Sequence, residues 1–487
     1  MNRPLRIALI ATATVVVLAV GAGGVFLASF DPNTLKPRII EAVKRATGRD
    51  LALNGKIALE FALRPTIRVD DVAFANPPGF SRPDMARLQS LELELGLLPL
   101  LSRRIEIDRL VLVHPDILLE RTADGQSNWQ LTPEHKPEAA PSTPAEPTTP
   151  QAPTEPTTVS VDTIRIQDGT LAYRDDATGK LTTLQVPSLQ ATSASPDSPL
   201  HLDANALYNN TPFTLVADTG SLARLQQPTA TTPWPAKLTF AAAGATLAAE
   251  GAFTQPLQAK GYNLSVTAAV PDAAALAPLL QGIAPPPPPL RDIRFTAKLA
   301  DTGAPNPDIS AVTLHVGPSD LSARIPGLSL TRLDIDAPRP DQPMKIDLAA
   351  TLGATAVAMT GTIGVPAQAL PNAAPSPYPM DVTLQADGAT ATAKGTVANP
   401  QALSGLNLAL TATIPDLAAL SPLAGRPLPP LKTIAFQGTL TDPEGGLRHG
   451  ATLHDFHLTG PDGDLSGTTA IALAAEGAFT QPLQAKG

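Results

Sequence analysis

The chain has 487 residues and no cysteine. That excludes disulfide bonds, thiolate metal sites and a cysteine nucleophile. Aromatic residues are scarce, at 4%, too few to stack on bases or to line a carbohydrate surface. Charged residues make up only 16% and the net charge is −9. No basic field exists to hold nucleic acid, so no nucleic-acid partner is expected. Large side chains for a thick core are also in short supply, since Ala, Thr, Leu and Val dominate beside 53 prolines.

Catalytic constellations are missing too. There is no G-x-S-x-G and no phosphate-cradling glycine motif. Of the seven histidines, only His449, His454 and His457 cluster, beside Asp455. Strict strand alternation would send 454 and 457 to opposite faces, which argues against a shared metal. Asp70-Asp71 and Asp175-Asp176 are neighbours in sequence and would point apart on a strand, which does not suit acid/base work. The expectation is a protein that is not an enzyme, with no cofactor and no metal.

What is present begins with an apolar run from Ile7 to Ala28 behind Arg3 and Arg6. As a helix it would span about 33 Å, enough for a hydrocarbon core of about 30 Å. It is too long for the h-region of a cleaved signal peptide and lacks a good cleavage site. The expectation is an uncleaved anchor, with residues 1–6 as a cytoplasmic tip and the bulk of the chain across the membrane. Gly21, Gly23 and Gly24 inside the run would allow close helix approach. Residues 31–50 read as a short amphipathic helix. Thr34 is the expected N-cap, Leu35, Ile39, Val43 and Ala46 the apolar face, and Gly48 the C′ residue. Such a helix either lies at the membrane interface or plugs the end of the β-structure behind it.

From Leu51 the period becomes two. Ile57, Leu59 and Phe61, then Ile67 and Val69, then Leu91, Leu93 and Leu95, then Ile105 and Ile107, alternate with polar residues. Each run predicts a half-buried strand, and Trp129 is expected to close this first sheet. Residues 132–158 are rich in Pro and Thr without apolar periodicity, and read as a linker.

The remainder repeats. Leu247–Gly261 and Leu473–Gly487 are the same fifteen residues. A diverged repeat has a spacing of 144, from Asn263 to Asn407, and continues through two proline stretches. This predicts repeated β units over 159–487, incomplete at the C-terminus. On its strands Leu264, Val266 and Val270, and Leu408, Leu410 and Ile414, share one face. Two readings stay open. The faces could close on one another as a sandwich, or they could line an open groove. An aliphatic groove would suit acyl chains, and these six residues are its candidate contacts.

The residues also resemble a known family. After the apolar run come Asp31-Pro32-Asn33-Thr34-Leu35-Lys36-Pro37 and Thr47-Gly48-Arg49-Asp50-Leu51. Next in order are Val69-Asp70-Asp71-Val72, Ala75-Asn76-Pro77-Pro78-Gly79-Phe80, Leu97-Leu98-Pro99-Leu100-Leu101-Ser102 and Asp124-Gly125-Gln126-Ser127-Asn128-Trp129. In this order they resemble the AsmA family of bacterial envelope proteins. The resemblance implies a single-pass inner-membrane protein with a large periplasmic region. It implies a chorein-like domain over 31–131 leading into repeating antiparallel β-groove units, mostly β overall. It further implies phospholipid as ligand, envelope assembly proteins as partners, and a role in lipid transport or in outer-membrane assembly and integrity. A tethered scaffold that regulates outer-membrane protein assembly without carrying lipid is the competing reading.

Overall fold

The computed structural model describes residues 31–60, 64–96, 105–130, 159–225, 232–304, 306–369, 376–399, 404–442, 450–461 and 463–471. The anchor from Ile7 to Ala28, the linker and the second copy of the fifteen-residue segment lie outside the described residues. No helix among the described residues is long and apolar enough to cross a membrane. The protein is mostly β and divides into two compact units, Met1–Pro196 and Asp197–Gly487.

The first unit opens with a 3-10 turn, Pro32–Leu35, and helix α1, Lys36–Thr47. The capping residue is Asp31 rather than Thr34: its carboxylate accepts the backbone N–H of Asn33 at 2.9 Å. The chain enters through a tight turn, which moves the first free N–H groups one turn earlier than a plain α-helix would. Gly48 ends the helix in the left-handed conformation, φ 71°, a region that costs glycine nothing. The inward face of the helix is Ile40, Val43 and Thr47, whereas Leu35 and Ile39 are each 37% exposed. The buried stripe is therefore rotated from the expected one. Lys36 Nζ donates to the Gly55 carbonyl at 2.5 Å and Asn33 Oδ1 accepts from Ile57 N at 3.0 Å. These bonds fix the helix to the sheet.

That sheet contains β1 (Leu51–Leu53), β2 (Ile57–Glu60), β3 (Thr66–Ala75), β4 (Asp84–Leu95), β5 (Ile105–Val113), β6 (Asp116–Arg121), β7 (Val159–Asp175) and β8 (Lys180–Thr192). The predicted alternation sets the register. Ile57 pairs with Val69, Ile67 with Leu93, and Leu91 with Leu112. Ile57, Val69 and Val72 form the core, with Leu51, Leu53, Ile67, Leu88 and Leu91 packed on it. Asp71, at φ 50°, interrupts the alternation and brings both Val69 and Val72 to this core, while the register against β4 is kept, with Asp70 opposite Ser90 and Val72 opposite Leu88.

The sheet is not wholly antiparallel. β7 runs parallel to both β5 and β6, with Leu110 opposite Ile164 and Leu119 opposite Tyr173. A parallel pair needs a crossover, and residues 122–158 supply the connection. Strands on both sides of the Pro/Thr-rich stretch thus belong to one sheet, and the first unit extends to Pro196. The break between β5 and β6 at His114-Pro115 is matched in β7 by Asp168, since His114 and Asp168 take φ 46° and 49°.

The second unit is an antiparallel meander. Its first half holds β9 (Pro199–Tyr208), β10 (Thr211–Ser221), β11 (Trp234–Ala242), β12 (Ala245–Gln255), β13 (Lys260–Asp272), β14 (Arg291–Ala300), β15 (Asp308–Val316), the short β16 (Ser319–Asp320) and β17 (Leu328–Ala337). Its second half holds β18 (Met344–Leu352), β19 (Thr355–Ile363), β20 (Tyr378–Ala386), β21 (Ala389–Asn399), β22 (Ser404–Asp416), β23 (Lys432–Thr441), β24 (Ala451–Gly460) and β25 (Gly463–Ile471). Apart from β16, which pairs only with β17, each strand pairs with the next long one.

The two halves are one repeat used twice, longer than the sequence match between Asn263 and Asn407 indicated. Ala243-Gly244 and Asp387-Gly388 make the same hairpin turn with all four φ positive. Gly220 leaves room for the ring of Trp234, and Gly364 for the ring of Tyr378. Asp272 and Asp416 cap short helical turns by accepting from Ala274 N at 2.9 Å and Ala418 N at 3.1 Å. Ala311 and Asp455, at φ 50° and 48°, mark equivalent bulges in β15 and β24.

Candidate functional site

Every strand of the second unit presents one apolar and one polar side, and the register keeps the apolar sides together. Starting from β10, Leu215 pairs with Phe240, Phe240 with Leu247, and Leu247 with Ala268. The line continues from Ala268 to Phe295, to Leu314 and to Ile335. It passes from Ile335 to Ile346 in β18, and the second repeat extends it. Bulges preserve this continuity. Because Ala311 is the extra residue, Ile309 and Val312 sit on the same side, both 8% exposed and both packed against Ala297.

The six predicted contacts are three positions of the repeat, each used twice. Leu264 lies between Gly251 and Leu299, and Leu408 between Gly395 and Leu440. Val266 lies between Ala249 and Ala297, and Leu410 between Ala393 and Gly438. Val270 faces Ile293, and Ile414 faces Ile434. A Cβ at Gly251 or Gly395 would run into the carbonyl oxygen of Asn263 or Asn407 on the neighbouring strand. These glycines let adjacent backbones approach closely, and they leave the apolar surface low beside Leu264 and Leu408.

Burial along the face is uneven. At the junction between the repeats it is filled: Ala337 is 0% exposed, Val316 2% and Met344 7%. On β13 and β22 the candidates Leu264, Val266, Val270, Leu410 and Ile414 are only half-buried, and Leu408 alone is buried. Near the two matched hairpin turns the face is open, with Leu247 40% and Leu384 41% exposed. A second layer packed on these strands would bury both. Aromatics border the open stretch of the first repeat: Phe213 and Phe240 lie 5.3 Å apart, Trp234 and Phe253 6.4 Å, Phe253 and Tyr262 6.1 Å. In the second repeat the positions of Trp234, Phe253 and Tyr262 are taken by Tyr378, Val397 and Leu406, which pack with Leu408.

The other face is polar and paired across strands. His201 meets Asp218 at 2.7 Å, Lys394 meets Asp381 at 2.8 Å, and Thr392 and Thr411 share a hydrogen bond of 2.6 Å. It also carries a cleft of about 560 Å³ bordered by Ala349, Ala358, Gln385 and Thr390, a lining too plain for chemistry.

Side chains considered for catalysis or metal binding have structural places. The bulge at Asp455 puts His454 opposite Thr439 and His457 opposite Gln437, so both lie on the polar face. Plain alternation had separated them. His454 bonds to Thr441 at 3.0 Å, and His449 lies outside the described residues. No group of three His, Asp or Glu among the described residues could hold a metal. Asp70 accepts from Arg68, Asp176 from Arg174, and Asp175 from Ala177 N. Trp129 is 40% exposed beside Tyr173, their rings 6.1 Å apart.

Sequence reasoning passed over Glu120, which joins the two motifs around Asn76 and Asn128. Its carboxylate is 1% exposed and accepts from Ser81 N, at 2.9 and 3.2 Å, and from Ser81 Oγ. Its N–H donates to Asn128 Oδ1 at 2.9 Å, while Asn128 Nδ2 donates to Asn76 Oδ1 at 2.9 Å and to Leu118 O at 2.8 Å. Arg82 forks onto Asp116 at 3.0 and 2.9 Å. A buried carboxylate so fully bonded locks a loop rather than performing catalysis.

The fold and site thus define a β-rich repeat protein whose candidate site is an extended apolar surface, not a pocket with reactive groups. The AsmA family model matches residues 1–333, and the chain belongs to the AsmA family. It is similar to the AsmA family protein YhjG of Escherichia coli (strain K12), with 23% identity over 331 residues, covering 61% of this chain and 46% of that protein. The chain therefore spans about half the length of the curated relative it matches. No solved structure matches.

Proposed function

We propose that this protein is held in the bacterial inner membrane by residues 7–28, with its bulk in the periplasm, and that the apolar face of the second unit is an open groove for phospholipid acyl chains. Membership of the AsmA family suggests an envelope-associated role. In this reading the groove supports lipid transport to the outer membrane and the assembly and integrity of that membrane, without catalysis. The observation that carries it is the exposure of Leu247 and Leu384 on a face that is otherwise continuous and apolar. Burying such surface on a hydrocarbon chain gains about 25 cal/mol per Å². The small residues Ala249, Ala393, Gly251 and Gly395 beside the candidates leave space for the chain.

The test is site-specific photo-crosslinking of the full chain in cells. A photoreactive residue replaces Val266 or Leu410, with Thr411 on the polar face as control. Phospholipid adducts at 266 and 410, but not at 411, are expected. Protein adducts with no lipid at 266 and 410 would reject the groove and favour the scaffold.

A further inference from the structure

Helix α1 carries features that the groove does not use. Its inward side, Ile40, Val43 and Thr47, rests on the sheet. Next to that side runs a second stripe, Leu35, Ile39, Ala42 and Ala46, at the i, i+4, i+7, i+11 spacing of one helix face. All four are exposed, Leu35 and Ile39 at 37% each. Arg38 and Arg45, seven residues apart, line the far edge of this stripe, and both are exposed. Arg45 reaches Glu41 only at 3.7 Å, a pair whose side chains are 66% and 70% exposed. Arg38 has no ion pair among the described residues. The segment Lys36–Thr47 holds four basic residues and one acid, in a chain of net charge −9.

This surface belongs beside a membrane. The apolar run ends at Ala28 and the turn into α1 begins at Asp31. Three residues reach at most about 11 Å. An apolar stripe edged by arginines is the pattern of a helix lying in the headgroup plane, with aliphatics toward the acyl chains and guanidinium groups on phosphates. We infer that α1 is a second membrane contact, in which Leu35 and Ile39 enter the bilayer surface and Arg38 and Arg45 bind the phosphates of anionic phospholipid. The inference rests on the membrane location proposed above but not on the groove. Its consequence is orientational, because α1 is bonded to the sheet through Lys36 and Asn33. A helix held flat on the membrane sets the angle at which the first unit leaves it, which a single anchor does not.

The absence of cysteine permits the test without background labelling. The full chain, as Ile39→Cys or Glu41→Cys, carries a nitroxide and is reconstituted into vesicles of phosphatidylcholine, with or without phosphatidylglycerol. Collisions with oxygen, which dissolves in lipid, and with a water-soluble nickel chelate are measured. In phosphatidylglycerol vesicles the Ile39 label is expected to show a several-fold higher oxygen-to-nickel ratio than the Glu41 label. The variant Arg38→Gln with Arg45→Gln should weaken this partition roughly 30-fold, at about one headgroup contact per arginine. An Ile39 label as open to nickel as the Glu41 label overturns the inference. So does a label shielded from both reagents, which would mean that protein covers the stripe. Equal burial in neutral and anionic vesicles, unmoved by the arginine changes, overturns the phosphate contact. Co-flotation of the same samples reports on the anchor, and the separate photo-crosslinking variant at Leu410 reports on the groove, so each reading fails separately.

Discussion

Leu408 and Leu410 are two residues apart on β22, on the same face, and should respond very differently to a charge. Leu410 is half-buried, paired with the small residues Ala393 and Gly438, and packs at the edge of the cluster of Val397, Leu406 and Leu408. Full burial of a leucine is worth about 1.5–3 kcal/mol. Leu410→Asp therefore gives up about 1–2 kcal/mol, and its carboxylate keeps most of its water. In a unit of this size that lowers Tm by only about 2–3 °C. Leu408 is 5% exposed and packs with Val397, Leu406 and Tyr378. Leu408→Asp opens a cavity worth about 3 kcal/mol and buries an unpaired charge at about 3–5 kcal/mol. Together these approach the whole stability of an ordinary domain, about 5–15 kcal/mol. The assay is thermal denaturation followed by circular dichroism, alongside extraction of bound lipid. Leu410→Asp should stay folded and lose its lipid, while Leu408→Asp should lose the repeat. Val266→Asp, at the equivalent position of the first repeat, should behave as Leu410→Asp. Equal destabilisation by Leu408→Asp and Leu410→Asp would refute the open face, because only a covering layer makes the two sites alike.

Other expectations rest on the same geometry. Gly251→Ala and Gly395→Ala force a Cβ against a neighbouring carbonyl; each should cost about 3 kcal/mol, read as a lower urea midpoint. Asn128→Ala removes bonds to Glu120, Asn76 and Leu118 and should destabilise the first unit by about 2–4 kcal/mol, with no effect on lipid bound by the second. Asp301 is held below the usual carboxylate range by the N–H groups of Gly261 and Gly303, and Asp416 by hydrogen bonding to Lys432. Both folded values lie below the unfolded value near 3.8. Their contribution is complete above that pH and is lost as pH falls through the folded values. Melting temperature should thus drop on acidification below about pH 4, and Asp301→Asn should blunt the drop.

Much of the fold was legible in the residues themselves. A period of two is a local property of a pleated strand with one wet face, so Ile57, Ile67, Leu91, Leu264 and Leu408 announced their strands and their sides without any partner. Repeat equivalence was legible as well, because Asp272 and Asp416 cap by bonds to residues two positions away. Tertiary structure decided whatever depends on a distant strand. The parallel seat of β7 beside β5 and β6 brings together residues more than fifty positions apart, and nothing in their alternation specifies a neighbour. Bulges at Ala311 and Asp455 slip the register by one, and alternation read past them assigns the wrong face, as for His454 and His457. The same limit applies to helix α1: its sequence shows an amphipathic helix, but only the sheet beneath selects Ile40 and Val43 over Ile39. Whether an apolar face meets a second layer or stays open is likewise not a property of one strand. It depends on what stands opposite, and at Leu247 and Leu384 the structure leaves that side uncovered.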